Sequence, residues 1–142
     1  MYKNILLAVD LAHDGSWIRS VPTAVEYAKA FGATLHVATI VPDFGMSIVA
    51  THFPADFEKK ALEESSRQLH AFTKKHIPSD IKVQHIVGCG TAYEEILRIS
   101  EETKCDLIVL GAHRPEMKDY LIGTNSARIV RHANCSVLVV RD

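Results

Sequence analysis

Much that would direct a functional reading is missing from this sequence. No apolar run approaches the roughly 20 residues that a helix needs to cross a bilayer, so no membrane partner is expected. Excess charge of either sign is missing too. The 16 Lys and Arg nearly balance the 17 Asp and Glu, for a net −1, which gives no bulk attraction to nucleic acid or acidic lipid. Cysteine is scarce: Cys89, Cys105 and Cys135 are an odd count without paired spacing. That excludes a disulfide framework and fits reduced thiols in the cytoplasm. Residues 5–9 are apolar, but Asp10 ends the run too early for a secretory leader. There is no Gly-x4-Gly-Lys-Ser/Thr phosphate loop, no Gly-x-Ser-x-Gly elbow and no His-x3-His spacing. Walker-type phosphoryl transfer, serine acyl transfer and a helical zinc site therefore have no support. Low-complexity segments and internal repeats are absent as well.

What is present reads as one domain over residues 1–142, long enough to bury roughly two thirds of its unfolded surface. The chain is organised around residues 105–126. Leu107-Ile108-Val109-Leu110 are four apolar residues without alternation, the pattern of a strand buried on both faces of a parallel sheet. Gly111 ends the run. After a connection, Gly123-Thr124-Asn125-Ser126 opens an apolar-periodic helix. Glycine lets backbone come close to a ligand, free N–H groups at a helix start donate, and the helix dipole favours negative charge. The arrangement suits a phosphate, or an ordinary Thr/Ser helix cap.

The rest of the chain alternates strand and helix. Residues 5–9 predict a first buried strand, followed by a turn-rich loop. Val21, Ala24, Val25 and Ala28 carry a helix stripe. This helix starts at Ser16 with a kink at Pro22, or at Ser20 with Pro22 in its first turn, and stops at Gly32. Residues 33–41 predict a second strand, and residues 43–52 a mobile or binding loop before Pro54. Phe57, Ala61, Leu69 and Phe72 mark the buried side of a helix to about His76. Ile81, Val83, His85 and Val87 alternate with Lys82 and Gln84, as in a partly covered edge strand with His85 exposed. Thr91 and Glu94 predict a capping box for the next helix. Ala127, Ile129, Val130 and Ala133 outline a fourth helix, and residues 136–141 a last strand at an open edge. Five strands and four helices in this order predict an α/β fold, a five-stranded parallel sheet with helices on both faces. Ligands of such sheets bind beyond the carboxyl ends of the strands, where strand order reverses. The unusual residues cluster there: Asp10, Ile40, Val41, Gly88 and the segment from Gly111 to Ser126. The remaining histidines are read as structural or surface residues, and Trp17 and Tyr120 as packing residues.

The chain resembles the universal stress protein family over its full length. The resemblance rests on residues 2–10 (Tyr-Lys-Asn-Ile-Leu-Leu-Ala-Val-Asp) and 106–113 (Asp-Leu-Ile-Val-Leu-Gly-Ala-His), on Gly123-Thr124-Asn125-Ser126, and on residues 135–141 (Cys-Ser-Val-Leu-Val-Val-Arg). Gly111-Ala-His-Arg-Pro115 with the ending at residues 132–140 looks most like the F subgroup. The resemblance implies an adenine nucleotide alpha hydrolase-like sheet of order 3-2-1-4-5, with ATP, and Mg²⁺ if present, as cofactor. It places adenine by Val9 and Ile40 or Val41, and ribose by Asp10 and Gly111. It places the phosphates by His113, Arg114, Gly123, Thr124, Asn125 and Ser126. Ala8, Gly88 and Leu110 complete the candidate set at the strand ends, and Asp10 is the candidate metal ligand. Nucleotide-binding members carry Gly-x2-Gly-x9-Gly-Ser/Thr. This chain keeps Gly111 and Gly123-Thr124, has Arg114 in place of the second glycine, and spaces the next gap by eight residues. A guanidinium there can grip a phosphate bidentately, moving the chemistry from backbone to side chain.

The expected role is regulatory and stress-linked, with at most slow ATP hydrolysis. The resemblance also implies a homodimer through the last strand, and further association to a tetramer is left open. Two alternatives stand beside this reading. One is a stress protein that binds no nucleotide and works by protein contacts. The other is an electron-transfer flavoprotein, disfavoured because Asp10-Leu-Ala-His-Asp14 is too acidic for a flavin phosphate loop.

Overall fold

The computed structural model describes residues 1–12, 17–41, 57–112 and 124–141. In chain order its elements are β1 (Asn4–Ala8), α1 (Ser20–Phe31), β2 (Thr34–Val41), α2 (Phe57–His76), β3 (Val83–Cys89), α3 (Ala92–Glu102), β4 (Leu107–Gly111), α4 (Thr124–His132) and β5 (Ser136–Val140). The strands form one parallel sheet of order β3-β2-β1-β4-β5. The uninterrupted apolar runs occupy its middle because both of their faces are covered. Ile5, Leu7, Leu35, Val37 and Val109 pack against α1 and α2. Leu6, Ala38, Ile108 and Leu110 pack against α3 and α4. The two edges are β3 and β5, as the weaker alternation of β3 and the late position of β5 predict.

Local chemistry sets the boundaries. α1 begins at Ser20, with the Arg19 carbonyl accepting from the Thr23 N–H at 3.2 Å and the Thr23 hydroxyl at 2.8 Å. Pro22 falls in the first turn, where a missing N–H removes no helix bond. Gly32 ends α1 at φ 63°, a left-handed cap that suits glycine. β3 starts at Val83, two residues later than the alternation suggests, because the Ile81 N–H turns back to the Pro78 carbonyl. At α3, Thr91 is the N-cap but the predicted capping box does not close. The Glu94 carboxylate accepts instead from the Tyr93 hydroxyl at 3.2 Å, and the first turn is closed by the Glu95 N–H on the Thr91 carbonyl.

Two expectations about burial are corrected. Among the described side chains of α4 only Ile129 is fully buried, at 1% exposed; its neighbour Val130 is 45% exposed and lies off the stripe. α4 packs beside α3 and on β5 at one side of the sheet, so only a narrow face of it meets the core. His85 is half-buried rather than exposed. Its ring stacks on His70 of α2, centroids 3.7 Å apart, and its Nε2 lies 2.6 Å from the Thr73 hydroxyl. The reason is that α2 covers one face of the edge strand. His36 is buried, and its Nε2 bonds Asn4 Oδ1 at 3.0 Å. Trp17 packs edge-on against Phe72 at 4.8 Å, as a core residue. Residues 43–52 and Pro54 lie outside the described residues.

Candidate functional site

The order reversal between β2 and β4 on either side of β1 leaves a crevice at the carboxyl ends of the three strands. A cleft of about 560 Å³ opens there, a size suited to a small-molecule ligand. β1 delivers Ala8, Val9 and Asp10 to it. β2 delivers Thr39, Ile40 and Val41, and β4 delivers Leu110 and Gly111, with Ala112 next. Asn125 and Ser126, in the first turn of α4, form the far wall. Its floor is apolar: Ala38, Ile96 and Ile129 with Leu110.

The backbone at the mouth has a definite polarity. The Val9 N–H donates to the Ala38 carbonyl at 2.9 Å, so Ala38 turns its peptide groups toward β1. Alternation along a strand turns the Ile40 N–H and carbonyl the same way. The β1–β2 ladder has its last rung at Ala8 and Ala38, so the Ile40 groups point into the crevice past it. Val41 faces the other way, and its carbonyl accepts from the Gly90 N–H at 2.9 Å. Asp10 is exposed at the rim. Its Oδ1 accepts from the Ala12 N–H at 3.0 Å, which shapes the turn leaving β1.

Two helix N-termini face the cleft, through Ala92 of α3 and through Asn125 and Ser126 of α4. They differ in charge. α3 carries Glu94 and Glu95 in its first turn, and Glu95 is gripped by Arg98 at 2.8 and 3.0 Å. That grip holds the Glu95 carboxyl below the usual carboxylate range. α4 carries no acidic residue in its first turn. Of the two, the α4 end therefore suits an anion better, because its dipole acts with no carboxylate in its first turn.

The structure thus brings together Ala8, Val9, Asp10, Ile40, Val41, Leu110, Gly111, Asn125 and Ser126. Thr124 opens α4 beside them. Gly88 does not line the cleft. It is buried in β3, where a side chain at position 88 would meet Ile40 Cδ1 at 2.8 Å, so it makes room for Ile40. His113, Arg114 and Gly123 lie outside the described residues. The sequence reading missed Thr39, and Ser65 and Gln68 of α2, which also line the cleft. The signal was available. Thr39 interrupts an apolar strand, and Ser65 and Gln68 follow Ala61 at helical spacing as polar breaks in a buried stripe.

Comparison with known proteins agrees with this fold. The model of the Universal stress protein family matches residues 1–141. Universal stress protein G of Escherichia coli O157:H7 is 28% identical over 145 residues, spanning 99% of this chain and all of the relative. This relative carries the G name, not that of the F subgroup to which the motifs pointed. Among solved structures, the protein MJ0577 superposes with a TM-score of 0.74 at 26% identity, covering 100% of this chain and 97% of the other. Two more distant structures share the fold. A universal stress protein in complex with cAMP has a TM-score of 0.62 at 23% identity, covering 99% and 97% of the two chains. One from Archaeoglobus fulgidus in complex with dAMP has a TM-score of 0.65 at 19% identity, covering 97% of each.

Proposed function

This chain belongs to the universal stress protein family, and from that premise we propose that its cleft binds ATP as a regulatory ligand. The observation that carries the reading is the facing of the cleft by the uncharged N-terminal turn of α4, with Asn125 and Ser126 on its wall. In this reading adenine lies against Val9, Ile40 and Val41. The Ile40 N–H and carbonyl read the base edge, since the Val41 carbonyl is already taken. Asp10 and Gly111 meet the ribose. The phosphates meet Thr124, Asn125 and Ser126, and from outside the described residues His113, Arg114 and Gly123. The cAMP and dAMP complexes of related folds support an adenine nucleotide as the ligand class.

Asp10 is the one carboxylate lining the cleft among the described residues. One carboxylate fits Mg²⁺, which is held by one or two such ligands together with phosphate oxygens and water. Asp10 would hold the ion, which neutralises phosphate charge when bound. Hydrolysis is slow in this reading. Asp10→Ala is expected to weaken ATP about tenfold in an equilibrium titration, the scale of one lost hydrogen bond to a charged group. Unchanged affinity would place the ribose elsewhere. No ATP binding by the wild type would favour the alternative, a stress protein acting through protein contacts.

We further propose a single cytoplasmic domain that forms a homodimer through β5 and can associate further to a tetramer. The F-subgroup assignment rests on its motifs alone. β5 is an open edge, and such an edge invites pairing. The Val140 carbonyl faces β4, accepting from the Ala112 N–H at 2.9 Å, so Val139 turns its own N–H outward. Val139→Pro therefore removes an edge donor without breaking the β4 ladder. Size exclusion is expected to show a folded monomer. A folded dimer would exclude this edge as the interface.

A further inference from the structure

We propose that the His70–His85 stack is a proton-sensitive latch that holds α2 on the edge of the sheet and thereby regulates the cleft. The regulatory half of this proposal rests on the nucleotide reading above; the latch itself does not.

The two rings lie nearly parallel, 3.7 Å apart and tilted by 17°, one from α2 and one from β3. Each is fixed by a second contact. His70 Nδ1 donates to the Ser66 carbonyl at 2.8 Å within α2. The Thr73 hydroxyl donates to the His70 carbonyl at 3.0 Å, so His85 Nε2 is the donor at 2.6 Å to that hydroxyl. With this tautomer His85 Nδ1 is left to take an added proton. A chain of bonds thus ties the edge strand to the helix.

The surroundings give an added proton no counter-ion. From α2, His70, Lys74, Lys75 and His76 line the groove in which His85 sits. The bend after α2 adds Ser79 and Ile81. On β2 the register partner of His85 is Val37, which is apolar. α3 packs on the opposite face of the sheet. Among the described residues no carboxylate lines this groove. A proton added to His85 finds no carboxylate partner among the described residues of this groove, and His70 at stacking distance opposes it. Burial, and next the presence of His70, hold the His85 imidazole below its usual value.

The sign follows. A histidine held neutral in the folded state stabilises the protein above its unfolded pKa of about 6.5 and loses that contribution as pH falls. The loss is local, because the stack joins α2 to β3. α2 also carries Ser65 and Gln68, which line the cleft. Release of α2 therefore withdraws one wall of it.

The test is hydrogen exchange of the whole protein, comparing α2 peptides with α3 peptides at pH 7.5 and 5.5 after correction for intrinsic exchange. α3 is the internal control, because burial also holds the His36 imidazole below its usual value, so that it contributes to any global acid loosening. Local opening of α2 is expected to rise by up to roughly tenfold at pH 5.5, the ratio given by one proton taken up at about 6.5. His85→Gln keeps a donor toward Thr73 and cannot titrate; it is expected to remove the rise. His70→Gln deletes the stack from the other side and guards against misfolding of the first variant. An α2 response equal to that of α3, or unchanged in both variants, overturns the latch. Titration with Mg-ATP over the same pH range separates the two claims. An affinity that falls at pH 5.5 in the wild type but not in His85→Gln supports regulation of the cleft. A latch that responds while ATP affinity does not overturns the coupling. No ATP binding at either pH overturns the nucleotide reading and with it the coupling, while the exchange result still decides the latch.

Discussion

Ser126→Glu is expected to stabilise the protein and at once to weaken ATP binding about a hundredfold. Position 126 is the third residue of α4. A glutamate there interacts favourably with the helix dipole, by roughly 0.3–1 kcal/mol. At this chain length that raises Tm by about 1–3 °C. The same carboxylate points at the cleft wall where the phosphates are placed. Like charges forced together there cost several kcal/mol, and about 3 kcal/mol corresponds to a hundredfold loss of affinity. The opposite signs make the result informative. A merely damaged fold loses stability and binding together. Thermal melting with isothermal titration reads both. Undiminished ATP affinity in a stabilised variant would mean that the phosphates do not lie at α4.

The second large effect separates two adjacent residues. Ile129→Ala is expected to cost about 3 kcal/mol, within the range for truncating a fully buried isoleucine. That lowers Tm by roughly 10 °C. Val130→Ala is expected to change stability by less than about 0.5 kcal/mol, because Val130 is 45% exposed and alanine is the better helix former. Ile129 is also part of the cleft floor, so the surviving folded protein should bind ATP more weakly. Equal effects at the two positions would contradict the observed facing of α4.

That pair also shows where sequence reading succeeds and where it stops. The central strands were legible because residues 5–8 of β1 and 107–110 of β4 are apolar without alternation, which burial on both faces permits. Gly32 was legible as a helix stop because its φ of 63° is one that glycine adopts freely. The position of Val130 was not legible. A nine-residue helix at one side of a sheet meets the core through so narrow a face that one step of the helix decides burial. The capping box failed because Tyr93, a neighbour no spacing rule considers, offers Glu94 another donor. His85 was misread because alternation reports the face of a strand and not the helix that covers it.

The site was legible to the same degree. Residues at the ends of β1, β2 and β4 line the cleft, as topology alone predicts, since a parallel sheet fixes where its crevice lies. Gly88 stood at a strand end too, yet β3 is two strands from the order reversal and its glycine serves packing. Ser65 and Gln68 were marked only by helical spacing as polar breaks, and that spacing does not say which cleft the helix faces. In the nucleotide reading, the preference for Ile40 over Val41 rests on the backbone bonds of Ala38 and Gly90.

The most direct test of the nucleotide site is to denature the purified protein, remove it, and analyse the supernatant by anion-exchange chromatography, with Arg114→Ala alongside and Mg-ATP thermal shifts on both. The account predicts ATP near one per chain, or a clear thermal shift where nucleotide was lost in purification, and a reduced signal in Arg114→Ala. Retention in the variant would make Arg114 dispensable. No nucleotide and no shift in the wild type would contradict the central claim.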